Sequence, residues 1–116
     1  MHEFSIVQSL LDVAAAETRR AGGERVLRLH CRIGELRQIN ESLLREAFEL
    51  LSRGTICEKA ELRVERTFMQ ARCHRCDCLF DVHNWVWRCP HCGADGSLIG
   101  GGDELELTSI EAEKPE

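Results

Sequence analysis

Cys73, Cys76, Cys89 and Cys92 form two Cys-x-x-Cys pairs separated by residues 77–88, a spacing suited to a tetrahedral zinc site in which four thiolates close around one cation. Each pair fits a tight turn that presents two sulfurs to the same metal. In the second, Cys89-Pro90-His91-Cys92-Gly93, the glycine admits the left-handed backbone that such a turn favours. The competing uses are two disulfides or four buried thiols. Cys31, Cys57 and Cys78 raise the cysteine count to seven, and an odd number fits a reducing compartment better than an oxidised framework. His74 and His91 lie inside the pairs and could replace a thiolate, but four sulfurs already complete the tetrahedron. Cys78, two residues beyond Cys76, could compete for zinc or form a redox pair; the simpler reading is an unused thiol. The second group with metal chemistry is the start of the chain, Met1-His2-Glu3. A terminal amine, the next backbone amide and an imidazole form fused chelate rings, a planar nitrogen set that suits Ni²⁺ or Cu²⁺ and suits Zn²⁺ poorly. Its ordinary alternative is a solvated terminal residue.

Something must position these groups, and the hydrophobic pattern supplies it. From about Ser5 to Arg20, Ile6, Val7, Leu10, Leu11, Val13 and Ala14 make a broad apolar stripe that Gly22-Gly23 ends. A second helix follows Asn40, a plausible N-cap, with Leu43, Leu44, Ala47, Phe48, Leu50 and Leu51 at helical spacing before Gly54. Between the helices, Leu27, Leu29, Cys31 and Ile33 alternate with Arg28, His30 and Arg32, the mark of a strand with one apolar and one basic face. Glu61 to Phe68 and Glu104 to Leu107 alternate in the same way, with carboxylates on the polar side. The order helix, strand, helix, strand, cysteine segment, strand predicts an α+β, two-layer fold. Two helices cover a small three-stranded sheet, and a zinc-ribbon module is inserted before the last strand, which otherwise could not bury Leu105 and Leu107. The expected boundaries are 1–70 plus 100–116 for the α/β domain and 71–99 for the ribbon. Gly100 to Gly102 reads as a hinge, and residues from Glu111 onward as a charged tail. Trp85 and Trp87, at strand spacing, are expected on one face of the ribbon, packed over the metal or offered to a partner. His30 and His83 have no partner that sequence identifies.

The chain has 116 residues and a formal net charge of −5, which disfavours nucleic acid unless the basic residues gather on one face. If the three strands share a sheet, the basic stripe instead meets carboxylates and is neutralised, each exposed pair contributing only ~0.2–1 kcal/mol. The apolar stretch from Phe4 to Ala16 is broken by Gln8 and Asp12 and preceded by no Lys or Arg, so it reads as a helix and not as a signal peptide. No run approaches the ~20 apolar residues of a membrane span, and the expected location is the cytoplasm. The glycine run carries no Gly-Lys-Ser/Thr, so nucleotide hydrolysis is not expected.

With Met1-His2-Glu3, Ile33-Gly34-Glu35-Leu36, Ala47-Phe48-Glu49, Gly54-Thr55, Ala60-Glu61-Leu62, both cysteine pairs and Gly102-Asp103-Glu104-Leu105 in this order, the chain resembles the HypA/HybF family of hydrogenase nickel-insertion accessory proteins over nearly its whole length. That resemblance implies a metallochaperone without catalytic activity. Its amino-terminal α/β domain would bind Ni(II) and deliver it to an apo-[NiFe]-hydrogenase, and the Zn(II) of its ribbon would be structural. It further implies His2 and Glu3 as nickel ligands, the latter through its backbone amide. The implied partners are the nickel-handling GTPase HypB and the hydrogenase large subunit, with urease an alternative recipient. Asn40 stands where some relatives have a carboxylate near the nickel, while its residue type suits an N-cap. Two other classes compete. A zinc-ribbon adaptor would leave Met1-His2-Glu3 unexplained, and a thiol redox enzyme built on Cys73 and Cys76 would not need a second pair.

Overall fold

The computed structural model describes residues 2–115. The chain forms two compact units. One takes the residues up to Arg32, Ile39–Glu65 and the residues from Glu106 on; the other takes Ile33–Gln38 and Arg66–Leu105.

In the first unit, helix α1 (His2–Arg20) buries Ile6, Val7, Leu10, Leu11, Ala14 and Thr18 along one stripe. It begins three residues before the Ser5 that periodicity suggests. Two local bonds hold the added turn: Ser5 Oγ donates to the His2 carbonyl at 2.9 Å, and the buried Glu3 carboxylate accepts the Asn40 backbone N–H at 3.0 Å. Gly22, at φ +82°, ends the helix as the left-handed residue of a Schellman motif, in which Gly23 N–H reaches the Thr18 carbonyl and Gly22 N–H that of Arg19. Helix α2 (Glu41–Ser52) starts at Asn40, whose side chain accepts the Leu43 N–H at 3.0 Å, and it buries Leu44, Ala47 and Phe48. Val13 and Leu50, expected on the apolar stripes, are half exposed instead. Each lies off the arc that its helix turns inward.

The helices pack on each other, and the unit's sheet has the order β2 (Glu61–Thr67), β1 (Arg25–Gly34), β6 (Leu105–Glu113). Arg45 of α2 donates to the Leu62 carbonyl at 2.7 Å, tying that helix to β2. Along β1 the buried residues are Val26, Leu29, Cys31, Ile33 and the terminal Gly34, so the alternation slips by one between Val26 and Leu29 and leaves Leu27 exposed. The polar face is the expected charge ladder. Arg28 donates to Glu61 (3.0 Å) and Glu111 (2.6 Å), and Arg32 to Glu65 (3.2 Å) and Glu106 (3.1 Å). His30 does have a partner, Glu111, at 2.6 Å. That residue is therefore part of β6 and not of a charged tail; its two contacts lie 81 and 83 residues away in the chain, beyond any local pattern.

The second unit is a ribbon of β3 (Met69–Cys73), β4 (Leu79–Val82) and β5 (Gly96–Gly100), with β3 central and antiparallel to both neighbours. Ala71 stands opposite Phe80 on one side and Leu98 on the other. Met69, Ala71 and Cys73 turn the same way and are buried with Phe80, Val82 and Cys89. Beyond β4, Asn84 and Trp85 have φ of +53° and +61° and Val86 N–H bonds the His83 carbonyl at 3.0 Å, as a two-residue hairpin turn of type I′ requires. The turn separates the two indoles: Trp85 sits exposed at its tip, whereas Trp87 packs against the core. His83 lies against Phe68 with ring centroids 4.2 Å apart and the ring planes tilted by 55°.

The glycine run is no free hinge. Gly102 is buried at φ +77°, its carbonyl accepts the Leu36 N–H at 2.7 Å, and Gly34 N–H bonds the Glu104 carbonyl at 2.7 Å. Gly34 itself has no room for a side chain, since a Cβ there would lie 2.0 Å from the Gly102 oxygen. Arg37 donates to the Asp103 carbonyl, Arg66 to Glu35 and Thr67 to Glu104, so residues 33–38, 66–67 and 102–104 are stitched together. Among the described residues, no helix is long and apolar enough to cross a membrane.

Candidate metal centre

The two cysteine pairs converge although 12 residues separate them in sequence. Cys73 ends β3 and Cys76 follows in the turn to β4; Cys89 and Cys92 bracket the turn before β5. The four sulfurs all lie within 4.8 Å of one another, with Cys73 to Cys92 at 3.4 Å and Cys76 to Cys89 at 3.5 Å. Zinc–sulfur bonds of ~2.3 Å in a tetrahedron place sulfurs about 3.8 Å apart, so the four fit that ion with little adjustment.

The turns carry their own preparation. Arg75 and Cys76 N–H point at the Cys73 sulfur at 3.3 and 3.4 Å, and His91 N–H points at the Cys89 sulfur at 3.4 Å. Such bonds stabilise a thiolate. They hold the Cys73 thiol down at about 6, the Cys76 N–H contributing most. For Cys76 the Cys78 N–H pulls the same way, but the sulfurs of Cys78 and Cys89 that accept its thiol proton, together with burial and the Cys73 sulfur, outweigh it and the group is raised. The turns are also built alike. Cys73 N–H bonds the Cys78 carbonyl (2.9 Å) as Cys89 N–H bonds the Ala94 carbonyl (2.8 Å), each reaching five residues on. The residue after the second cysteine is left-handed in both, Gly93 at φ +78° and Asp77 at +62°. Asp77 thus takes the backbone role that sequence assigned only to Gly93. His91 is exposed on its turn, and His74 Nε2 bonds Ser97 Oγ at 2.5 Å; neither belongs to the sulfur group.

The other expected metal ligands stand at the head of α1. His2 is exposed and helical, and Glu3 is buried beside it in sequence. The Met1 amine lies outside the described residues. The Glu3 carboxylate is engaged by the Asn40 backbone N–H, which holds it below the usual carboxylate range. Asn40 uses its side chain as the α2 cap, so this residue bonds Glu3 with its backbone and Leu43 with its side chain. That link was not legible in sequence, because the two residues lie 37 apart.

A two-helix α/β unit and a ribbon with four convergent cysteines define a small protein with a four-thiol metal site, and the comparisons with known proteins name its family. The family model "Hydrogenase/urease nickel incorporation, metallochaperone, hypA" matches residues 1–112. The hydrogenase maturation factor HypA of Roseiflexus sp. (strain RS-1) is 39% identical over 116 residues, covering 97% of this chain and 93% of that protein. HybF of Salmonella typhimurium (strain LT2) is 31% identical over 113 residues, covering 97% of this chain and 100% of its own length. The chain aligns with a solution structure of HypA protein at a TM-score of 0.65 and 25% identity, over 97% of this chain and 96% of the other. The Ni metallochaperone HypA from Helicobacter pylori, at TM-score 0.64 and 23% identity over 97% and 98%, shares the fold. The chain belongs to the HypA family of nickel-incorporation metallochaperones.

Proposed function

We propose that the protein is a nickel metallochaperone without catalytic activity, working in the cytoplasm, which binds Ni(II) at its amino terminus and hands it to an apo-[NiFe]-hydrogenase. The observation that carries this reading is the family match, which extends from residue 1 and so includes Met1-His2-Glu3. His2 supplies imidazole and backbone nitrogen to the cargo ion. Glu3 supplies its backbone amide, while its carboxylate, bonded to Asn40, fixes the first turn of α1. Nickel occupies residues 1–70 plus 100–116, the α/β domain. Zn(II) sits on Cys73, Cys76, Cys89 and Cys92 within the ribbon, residues 71–99, where a closed four-thiolate site supplies cohesion and no chemistry. The recipient is the hydrogenase large subunit, with the GTPase HypB upstream; the family description also names urease, which makes it the alternative recipient.

Nickel titration of untagged protein tests the reading. His2→Ala abolishes specific nickel binding while zinc content and thermal stability stay as in wild type, because the exposed His2 side chain packs against little. Equal nickel affinity in the two proteins refutes the site. A histidine-free tag placed before Met1 weakens binding if the amine is a ligand, and the same tag after Glu116 does not.

A further inference from the structure

Cys78 has no place in the zinc and nickel readings, yet it does not stand apart from them. Of the four convergent thiols, Cys73 and Cys89 are buried, Cys92 is half-buried, and Cys76 alone is exposed. Cys78 follows Cys76 by two residues and is half-buried, and its N–H and its thiol both bear on the Cys76 sulfur. Asp77 between them is left-handed, at φ +62°, which doubles the chain back, and the Cys73 N–H bond to the Cys78 carbonyl at 2.9 Å closes the loop. Cys31 and Cys57 are buried in the other unit, out of reach of solvent.

We propose that Cys76 and Cys78 form a peroxide-sensitive pair in which Cys78 is the resolving thiol, so that oxidation joins them in a disulfide and removes one ligand from the zinc site. The inference rests on the zinc reading given above. A metal-bound cysteine is a thiolate and remains nucleophilic, and oxidation selects the thiolate that solvent reaches, here Cys76. The Cys76 sulfur attacks one oxygen of hydrogen peroxide, the O–O bond breaks and, after a proton is taken up, water leaves; Cys76 is then a sulfenic acid and no longer a thiolate donor. Cys78 attacks that sulfur, the S–O bond breaks, and its thiol proton leaves with the hydroxide as a second water. Two thiols and one peroxide thus become one disulfide and two waters. Cys73, Cys89 and Cys92 are near enough to compete, but they remain bound to the metal at this stage, whereas Cys78 is not a ligand. A later attack by an external thiol on the disulfide restores both cysteines and the ligand set.

The test uses the full zinc-loaded chain. Zinc content before treatment reports on the zinc site itself, and the disulfide map after treatment reports on the pair. With one equivalent of hydrogen peroxide, wild type is expected to lose two hydrogens by intact mass, to map as Cys76–Cys78 by peptide fragmentation, to release zinc to a chromogenic chelator, and to take zinc back after dithiothreitol. Cys78→Ser is expected to bind zinc and fold as wild type does, since its backbone bonds persist. Given a second equivalent of peroxide, it gains two oxygens at Cys76 as sulfinic acid, with zinc release that dithiothreitol does not reverse. A map showing Cys73–Cys92 or Cys76–Cys89 overturns the proposal, as does a Cys78→Ser protein with unchanged reversibility.

Discussion

Replacing Gly34 by alanine isolates a close backbone contact. The added Cβ would stand 2.0 Å from the Gly102 oxygen, 2.1 Å from its carbonyl carbon and 2.6 Å from the Asp103 nitrogen, where ordinary contact begins at 3.4 Å. All three are backbone atoms, so no side chain can swing aside, and the end of β1 and the β5–β6 connection must part by more than 1 Å. That separation breaks the Gly34 to Glu104 and Leu36 to Gly102 bonds, both 2.7 Å long. Gly34 and Gly102 are buried, so their groups lose partners that water cannot fully replace, whereas the exposed Leu36 amide is rehydrated. At about 1–3 kcal/mol for each buried group left unpaired, the expected loss is about 2–6 kcal/mol. Gly100→Ala is the control, because a Cβ there meets nothing within 4 Å; it changes stability by less than about 0.5 kcal/mol. The assay is urea unfolding at saturating zinc, followed by tryptophan fluorescence. The chain has two tryptophans and no tyrosine, and both Trp85 and Trp87 lie in the ribbon unit with Gly34, so the signal reports that unit alone. With a slope near 2 kcal/mol/M, the midpoint falls by about 1–3 M in Gly34→Ala. Matching midpoints for the two alanine variants would refute the steric argument.

Cys89→Ala, or chelation of the zinc, unfolds the ribbon while the helical unit persists, since structural zinc contributes about 10–16 kcal/mol in small peptides and the ribbon core is small; amide exchange that stays slow across β3–β5 after metal removal would contradict this. Asn40→Ala removes the α2 cap and lowers stability by about 1 kcal/mol while leaving the backbone bond to Glu3, which thermal unfolding beside Asn40→Asp checks. Glu3 carries the pH dependence of the α1 head. Its folded pKa is lowered, so the stability it adds is present above the ordinary value of 4.5 and is lost as pH falls through the folded value. Glu3→Gln is therefore less stable than wild type at neutral pH, and the gap closes in acid; a gap independent of pH would place the role of Glu3 elsewhere.

Much of this protein was legible in its sequence because the signals are local. The Cys-x-x-Cys spacing, the apolar stripes of α1 and α2, the Asn40 cap and the Gly22 stop each depend on residues within one or two turns, where backbone geometry fixes which side chains meet. The alternation of Arg28, His30 and Arg32 with apolar neighbours likewise announced a strand and its charged face. What only the tertiary structure decided are matters of long-range register and approach. Sequence could propose carboxylates for the basic stripe, but the pairing of His30 with Glu111, 81 residues away, depends on how β6 lies against β1. Asn84-Trp85 has the positive φ values of a hairpin turn without the glycine that signals one, so alternation through Trp85 and Trp87 suggested a shared face that the turn abolishes. The Glu3 bond to Asn40 and the contact of Gly34 with Gly102 likewise arise only when separate segments are brought together, and no periodicity encodes them. One-dimensional pattern selects elements by the surface each must bury; which atoms then meet is set by the packing of those surfaces, a property of the whole chain.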